Sequence, residues 1–299
     1  MDQLDAMRAF VEVATLASFS KAARRIRQSP SASTRAVAQL EDQLGLTLLT
    51  RTTRAVRLTE RGQIYLESCR QILEDVGVAQ ALVRGESAEP RGHLKIAAPV
   101  LFGRLHILPV VTQLLNRYPA ISVHLTLSDR NIHLVEDSVD VAIRIGDLAD
   151  SRLMAVRLGS VNRVLVASPA YLAVRPPPGK PSDLVYHDII AFESLETTHD
   201  WRFTDTTVVR LEPRLEINSA DAAIAAAESG LGITRALSYQ VRDAIQSGRL
   251  IPLLTPFTPP AVPVSAVYPS RRIASANVAT FVSLARDHFR ARPVEPLGS

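Results

Sequence analysis

The sequence predicts a multidomain α/β chain: a small helical N-terminal domain ending in a β-hairpin, one long helix, and a C-terminal α/β domain in two parts. Three observations predict it. Three short amphipathic segments fill residues 4–43. One apolar stripe then runs from about 59 to 84, and from Gly92 onward short Val-, Ile- and Leu-rich runs alternate with helical ones. At 299 residues the chain exceeds one simple core, since domains hold roughly 100–200 residues.

The first segment, LDAMRAFVEVATL, sets Leu4, Met7, Phe10, Val11, Val13 and Ala14 at helical spacing. Ser18 and Ser20 are start signals for a second short helix, KAARRI. Ser29-Pro30 opens a third, with Ser at the N-cap and Pro at the first helical position. It runs to about Gln43 with Ala32, Ala36, Val37 and Leu40 as its inner face, and Gly45 ends it. Two β-type runs, LTLLTR and AVRLT, flank Thr52-Thr53-Arg54 and read as a hairpin wing. Residues 1–58 therefore read as a winged helix-turn-helix.

Charge agrees with that reading. Residues 1–62 hold ten Lys/Arg and six Asp/Glu, while the rest of the chain is balanced, so the whole net charge of +4 lies in its first fifth. Segregated positive charge suits a phosphate backbone, double-stranded DNA above all, although a solvated basic face without a partner has the same composition. The second helix of a helix-turn-helix enters the major groove N-terminal end first. Here that end carries Ser31, Ser33, Thr34, Arg35 and, one turn on, Gln39. Arg can grip guanine with two hydrogen bonds, Gln can grip adenine, and Ser or Thr can reach a base or a phosphate. Arg51 and Arg54 on the wing suit backbone or minor-groove contact.

Thr59 caps the long helix, and residues 59–88 form the linker. Leu66, Cys69, Leu73, Val76 and Val83 step along it by threes and fours, widened by Tyr65, Ile72 and Ala79. A stripe over three heptads predicts pairing with another helix, a second copy of itself being favoured over docking on its own chain.

In the C-terminal part HLKIAAPV, ISVHLTL, DVAIRIG, NRVLVAS and DIIAF read as strands, with helical stretches such as GRLHILPVVTQLLNRY and NVATFVSLARDHFRA between or after them. Alternation of this kind predicts a largely parallel sheet covered on both faces. The residues after Arg292 read as disordered. Hydrophobic content of 46% against 21% charged excludes a disordered chain, and no apolar run approaches the ~20 residues of a membrane span. The start of the chain lacks a basic leader, and Cys69 alone cannot form an intrachain disulfide, so a cytoplasmic location is expected.

Enzyme readings find no support. The seven histidines have no metal-ligand spacing, and Walker A, G-x-G-x-x-G and G-x-S-x-G are absent from the sequence. Ser18-Phe19-Ser20-Lys21 matches S-x-x-K in form only, because it lies in the helix-turn-helix. No metal or cofactor is expected, and Cys69 reads as a packing residue.

MRAFVEVATLASFSKAARRI, the helix ending in QLEDQLG, and LTLLTRTTRAVRLTERG together resemble the DNA-binding end of LysR-type transcriptional regulators. GHLKIAAP, SDRNIHLVEDSVDVAIRIG, SGLGI and GRLIPLL lie where that family has them, so the resemblance covers nearly the whole chain. It implies a homodimer or homotetramer whose activity responds to a small-molecule effector. The effector would bind in a periplasmic-binding-protein-like (Rossmann-like) domain, residues 92–293, with subdomain I at 92–161 and 267–293 and subdomain II at 162–266. This chain departs from the family at Pro30, Ser33 and Thr34, and it has Ala97, Ala98, Val100 and Leu101 where a hydroxyl is often supplied.

APVLFGR joins a strand's C-terminal end to a helix N-terminus, where ligands of open α/β sheets sit. Free backbone N–H groups near Leu101, Phe102 and Gly103 would favour an anion, and Val100 beside them is counted with the same effector site. The resemblance implies that Ser128, Arg144, Phe203 and Asn218 line the same cleft. Arg144 also reads as a partner of Asp140 or Asp147, Ser128 as a plain turn residue, and Trp201 as a ligand stack or a core residue. The rival functional reading is an effector-independent architectural DNA-binding protein whose C-terminal domain only builds the oligomer.

Overall fold

The structure is a computed structural model describing residues 2–51, 56–83, 89–130, 139–148, 153–193, 199–204, 206–270, 275–294 and 296. The chain divides into two compact units, residues 1–88 and 89–299.

In the N-terminal unit, α1 (Gln3–Leu16), α2 (Phe19–Arg25) and α3 (Pro30–Leu44) precede a hairpin of β1 (Leu49–Arg51) and β2 (Val56–Leu58), then α4 (Glu60–Val83). Local chemistry sets these boundaries. Ser18 accepts from Lys21 N–H, Ser29 from Ala32 N–H with Pro30 at the first helical position, and Gly45 ends α3 at φ 65°. Thr59 Oγ1 accepts from Gly62 N–H at 2.8 Å to start α4. A Cβ at Gly62 would lie 2.0 Å from Leu48 O, so only glycine admits the wing strand this close. Phe10, Val13, Ala36, Val37, Leu40 and Leu48 form the core, and Leu66 and Cys69 of α4 are buried in it with Tyr65 and Leu73 packed alongside. The first half of the α4 stripe thus docks on its own domain. The expectation that the whole stripe waits for a partner is corrected to its outer residues, among them Ile72 at 39% exposure; Ile64, outside the stripe, is 60% exposed.

The C-terminal unit holds two five-stranded sheets. The first has order β4-β3-β5-β14-β6, from β3 (Gly92–Ala98), β4 (Ile121–Leu127), β5 (Val141–Ile145), β6 (Leu153–Val161) and β14 (Val262–Pro269). The second has order β11-β8-β12-β7-β13, from β7 (Arg163–Ala167), β8 (Ile189–Phe192), β11 (Leu215–Ile217), β12 (Ile233–Leu237) and β13 (Ile251–Leu253). A separate hairpin joins β9 (Asp200–Arg202) to β10 (Val208–Arg210).

The sheets are mixed rather than largely parallel. β3 runs parallel to β4 and β5, but β14 is antiparallel to β5 and β6, and β7 to β12 and β13. A chain that leaves the first lobe along β6 must return in the opposite direction, and β14 is that return. The second lobe accordingly ends before Val262, not at 266 as the sequence suggested. The start of the tail is also corrected: Val294 is 6% exposed and its carbonyl accepts from Ser160 N–H on β6, while residues 295 and 297–299 lie outside the described residues.

The first lobe packs α5 (Val100–Phe102), a π turn (Gly103–Ile107), α6 (Leu108–Arg117) and α10 (Ala276–Ala291) over its sheet, with Phe102, Ile107, Leu114, Phe281 and Phe289 at the centre. The second lobe, in which α7 (Pro169–Val174) follows β7, sets α8 (Ala220–Glu228) and α9 (Ser238–Gln246) on one face of its sheet, and Trp201, Phe203 and Val209 of the hairpin region on the other. The crossing residue Asn162 is locked to the start of α9: its carbonyl accepts from Ser238 N–H and its N–H donates to Ser238 Oγ.

Candidate nucleic-acid interface and effector cleft

The outer face of α3 carries Ser31 and Arg35 exposed, and Thr34 and Gln39 half-buried. The Thr34 hydroxyl donates to Pro30 O, and Ser31 Oγ lies 3.0 Å from Ser29 Oγ. Ser33 does not belong to this face. It is 0% exposed on the stripe Ser33-Ala36-Val37-Leu40, so its hydroxyl faces the core and cannot reach DNA. Ala36, Val37 and Leu40 form the inner face as the sequence predicts, and Ser33 rather than Ala32 is its first residue. Arg51 ends β1 opposite Val56, and Arg54 lies outside the described residues. A residue the sequence reading missed holds the wing in place: Glu41 Oε1 near the end of α3 accepts from Leu48 N–H and Leu49 N–H at 2.8 and 3.0 Å. No local pattern announces a carboxylate that caps a strand seven residues away.

At the mouth of β3, Val100 is exposed, whereas Leu101 and Phe102 are 4% and 0% exposed and belong to the core. Their side chains face the core, so what they could offer a ligand is the backbone N–H groups the sequence points to, while the N–H of Gly103 already donates to Pro99 O at 2.7 Å. The helix start is not vacant either. Asp129 Oδ1 accepts from Val100 N–H at 3.0 Å, so the chain's own carboxylate lies beside the N–H groups expected to meet an anionic effector. Burial raises the pKa of Asp129, the Val100 bond opposes that rise, and nearby Asp221 adds to it. Asp221 in turn meets Arg104 at 3.9 Å. Ser128 Oγ accepts from Arg130 N–H, the behaviour of a turn residue. Asn218 is exposed immediately before Ser219, the N-cap of α8.

Arg144 is half-buried on β5, on the sheet face opposite Ile143 and Ile145, and burial lowers its pKa. Of its two expected partners, Asp140 Oδ2 accepts from Lys95 N–H, and the charge of Asp147 acts on Arg163. Phe203 is 7% exposed and lines a different cleft, inside the second lobe with Arg163, Arg202 and Arg235. Val100, Ser128, Arg144 and Asn218 are not among the residues of that cleft. Trp201 is a core residue, 1% exposed, with the Arg235 guanidinium 4.9 Å above its ring.

Behind the mouth, His106 sits in an aromatic nest, 4.8 Å from Phe102, 5.6 Å from Tyr239 and 6.0 Å from Phe289 between ring centroids. Its buried Nε2 has no hydrogen-bond partner among the described residues. Burial first, then the charges of His288 and Arg242, push its pKa down to about 4 from 6.5. The folded value lies below the unfolded one, so the stability this neutral ring contributes is complete above 6.5 and is lost as pH falls toward 4. His187 and His288 shift the same way, burial again leading. Acidification from about pH 7 to about pH 5 is therefore expected to lower the melting temperature of the C-terminal unit, with a shallower fall in His106→Gln. Equal pH slopes for the two proteins would contradict this assignment.

Two family profiles match the chain: "Bacterial regulatory helix-turn-helix protein, lysR family" over residues 4–63 and "LysR substrate binding domain" over residues 87–290. The chain belongs to the LysR family. This LysR regulator is 33% identical over 298 residues to an HTH-type transcriptional repressor of Pseudomonas aeruginosa, a match covering 98% of this chain and 94% of the relative. It is 34% identical over 293 residues to the regulator PtxR of the same species, covering 97% and 94%. The solved structure of CrgA, a LysR-type regulator from Neisseria meningitidis, superimposes with a TM-score of 0.61 at 30% identity, covering 95% of this chain and 98% of that one. The regulator is thus a DNA-binding transcription factor, not an enzyme, and its activity is modulated by a small molecule bound in the C-terminal domain. Among the described residues no helix is long and apolar enough to cross a membrane, and no group of three His, Cys, Asp or Glu is placed to hold a metal ion.

Proposed function

We propose that the regulator reads operator DNA with Ser31, Thr34, Arg35 and Gln39 of α3, while Arg51 and Arg54 of the wing engage the backbone or minor groove. The observation that carries this reading is the division of α3 into a core face and an outer face whose charged residue, Arg35, is exposed one turn from the entering end. Arg35→Ala is expected to weaken operator binding by about 1–3 kcal/mol in an anisotropy titration with its own promoter fragment. Unchanged affinity would remove Arg35 from the interface.

The effector enters at the C-terminal ends of β3 and β5, with Val100, Ser128, Arg144 and Asn218 as its contacts, and the Arg104–Asp221 pair, which brings the π turn and α8 together, supports a mouth lined from both lobes. Asp129 at the start of α5 favours an effector that offers a hydrogen-bond donor there, and Arg144 engages its polar or acidic end. The regulator acts in the cytoplasm as a homo-oligomer, a dimer or tetramer joined along the outer side of α4. The exposed apolar Ile64 and Ile72 support that seam.

A further inference from the structure

We infer that the second lobe carries a binding site for a compact dianion, a phosphate or short dicarboxylate, between Arg163, Arg202 and Arg235, separate from the mouth at Val100. Arg163 on β7 and Arg235 on β12 share the sheet face of Leu165 and Ile233, which the β9–β10 hairpin covers. Arg202, the last residue of β9, completes the set, with Thr258 on the segment leading to β14. The remaining lining is Leu165, Phe203, Leu253, Leu254 and Pro259. Three arginines lining one largely apolar cleft are an arrangement that an oxyanion stabilises, through charge-assisted and bidentate hydrogen bonds.

The central guanidinium is the costly one. Arg235 is 7% exposed, and burial followed by the like charge of Arg163 presses its pKa down to about 9. Arg163 is lowered by burial as well, with Asp147 opposing the shift. Arg235 is held in place rather than left to snorkel: its Nη1 donates to Arg202 O at 3.4 Å, and it lies over the Trp201 ring. The walls are also tied together, because Thr204 N–H donates to Phe257 O and the Thr204 hydroxyl to Thr258 O.

Trp201 is the chain's sole tryptophan and lies beneath Arg235, so its fluorescence reports this site directly. Purified full-length protein, without DNA or other ligand, is titrated with inorganic phosphate and, separately, with malonate, against chloride at matched ionic strength. A saturable change with either anion is expected, the tighter one naming the source. Arg163→Gln and Arg202→Gln should each weaken it roughly 10–100-fold. Arg202 is exposed, so its variant keeps the fold, which circular dichroism checks. No saturable change beyond chloride, or an undiminished response in both variants, overturns the site. Neither result bears on the effector mouth, which contributes none of these residues.

Discussion

Phe102→Ala is expected to lower the unfolding free energy of the C-terminal unit by about 3–5 kcal/mol. Phe102 is fully buried and stacks on Phe289 at 5.8 Å, meets Tyr239 edge-on at 5.2 Å and touches His106 at 4.8 Å. Truncation removes all three ring contacts and leaves a hole between helices from both lobes, since Tyr239 belongs to α9 and Phe289 to α10. Denaturant unfolding measures the loss. A residue that merely touched an effector would show the reverse pattern, weaker ligand binding with an unchanged midpoint, and that result would return Phe102 to the site.

The second large effect falls in α4. Leu66→Ala should destabilise the N-terminal unit by about 2–5 kcal/mol, because Leu66 is 3% exposed and packs into the domain core. Ile72→Asp, six residues on, should change monomer stability by no more than about 0.5 kcal/mol, since its side chain is already exposed. The same charge placed in a seam between two chains would be buried and unpaired, so sedimentation of Ile72→Asp should show dissociation. An Ile72→Asp protein that sediments like the parent would place the oligomer contact elsewhere. A Leu66→Ala protein as stable as the parent would mean that α4 does not belong to the domain core.

What the sequence revealed and what it hid divide along the range of the interactions. Ser18, Ser29, Gly45 and Thr59 act within four residues of themselves, and the helix boundaries they announce stand in the structure. The choice between Ala32 and Ser33 as the buried residue of α3 turns on one residue of helical phase. Small side chains at both positions leave the hydrophobic pattern silent on it. Asp129 reaches Val100 from 29 residues away, and the arginines of the second-lobe cleft come from three strands between positions 163 and 235. Such groups meet only after the sheet has formed, and no spacing rule encodes the meeting. β14 was hidden for the same reason. A strand that returns from one lobe to pair in the other carries an ordinary apolar run, and its direction is a property of the path between the lobes.

Cys69 packs in the core of the N-terminal unit. It is the chain's sole cysteine, fully buried, and burial pushes its pKa up to about 11, with a hydrogen bond from Tyr65 pulling the other way. A thiol in that state neither ionises nor meets a reagent while the helices around it are closed. Alkylation or maleimide coupling therefore proceeds only through opening of the N-terminal unit, and its rate times that opening. The molecule carries a chemical clock for its DNA-binding end that stays silent when the C-terminal unit alone unfolds.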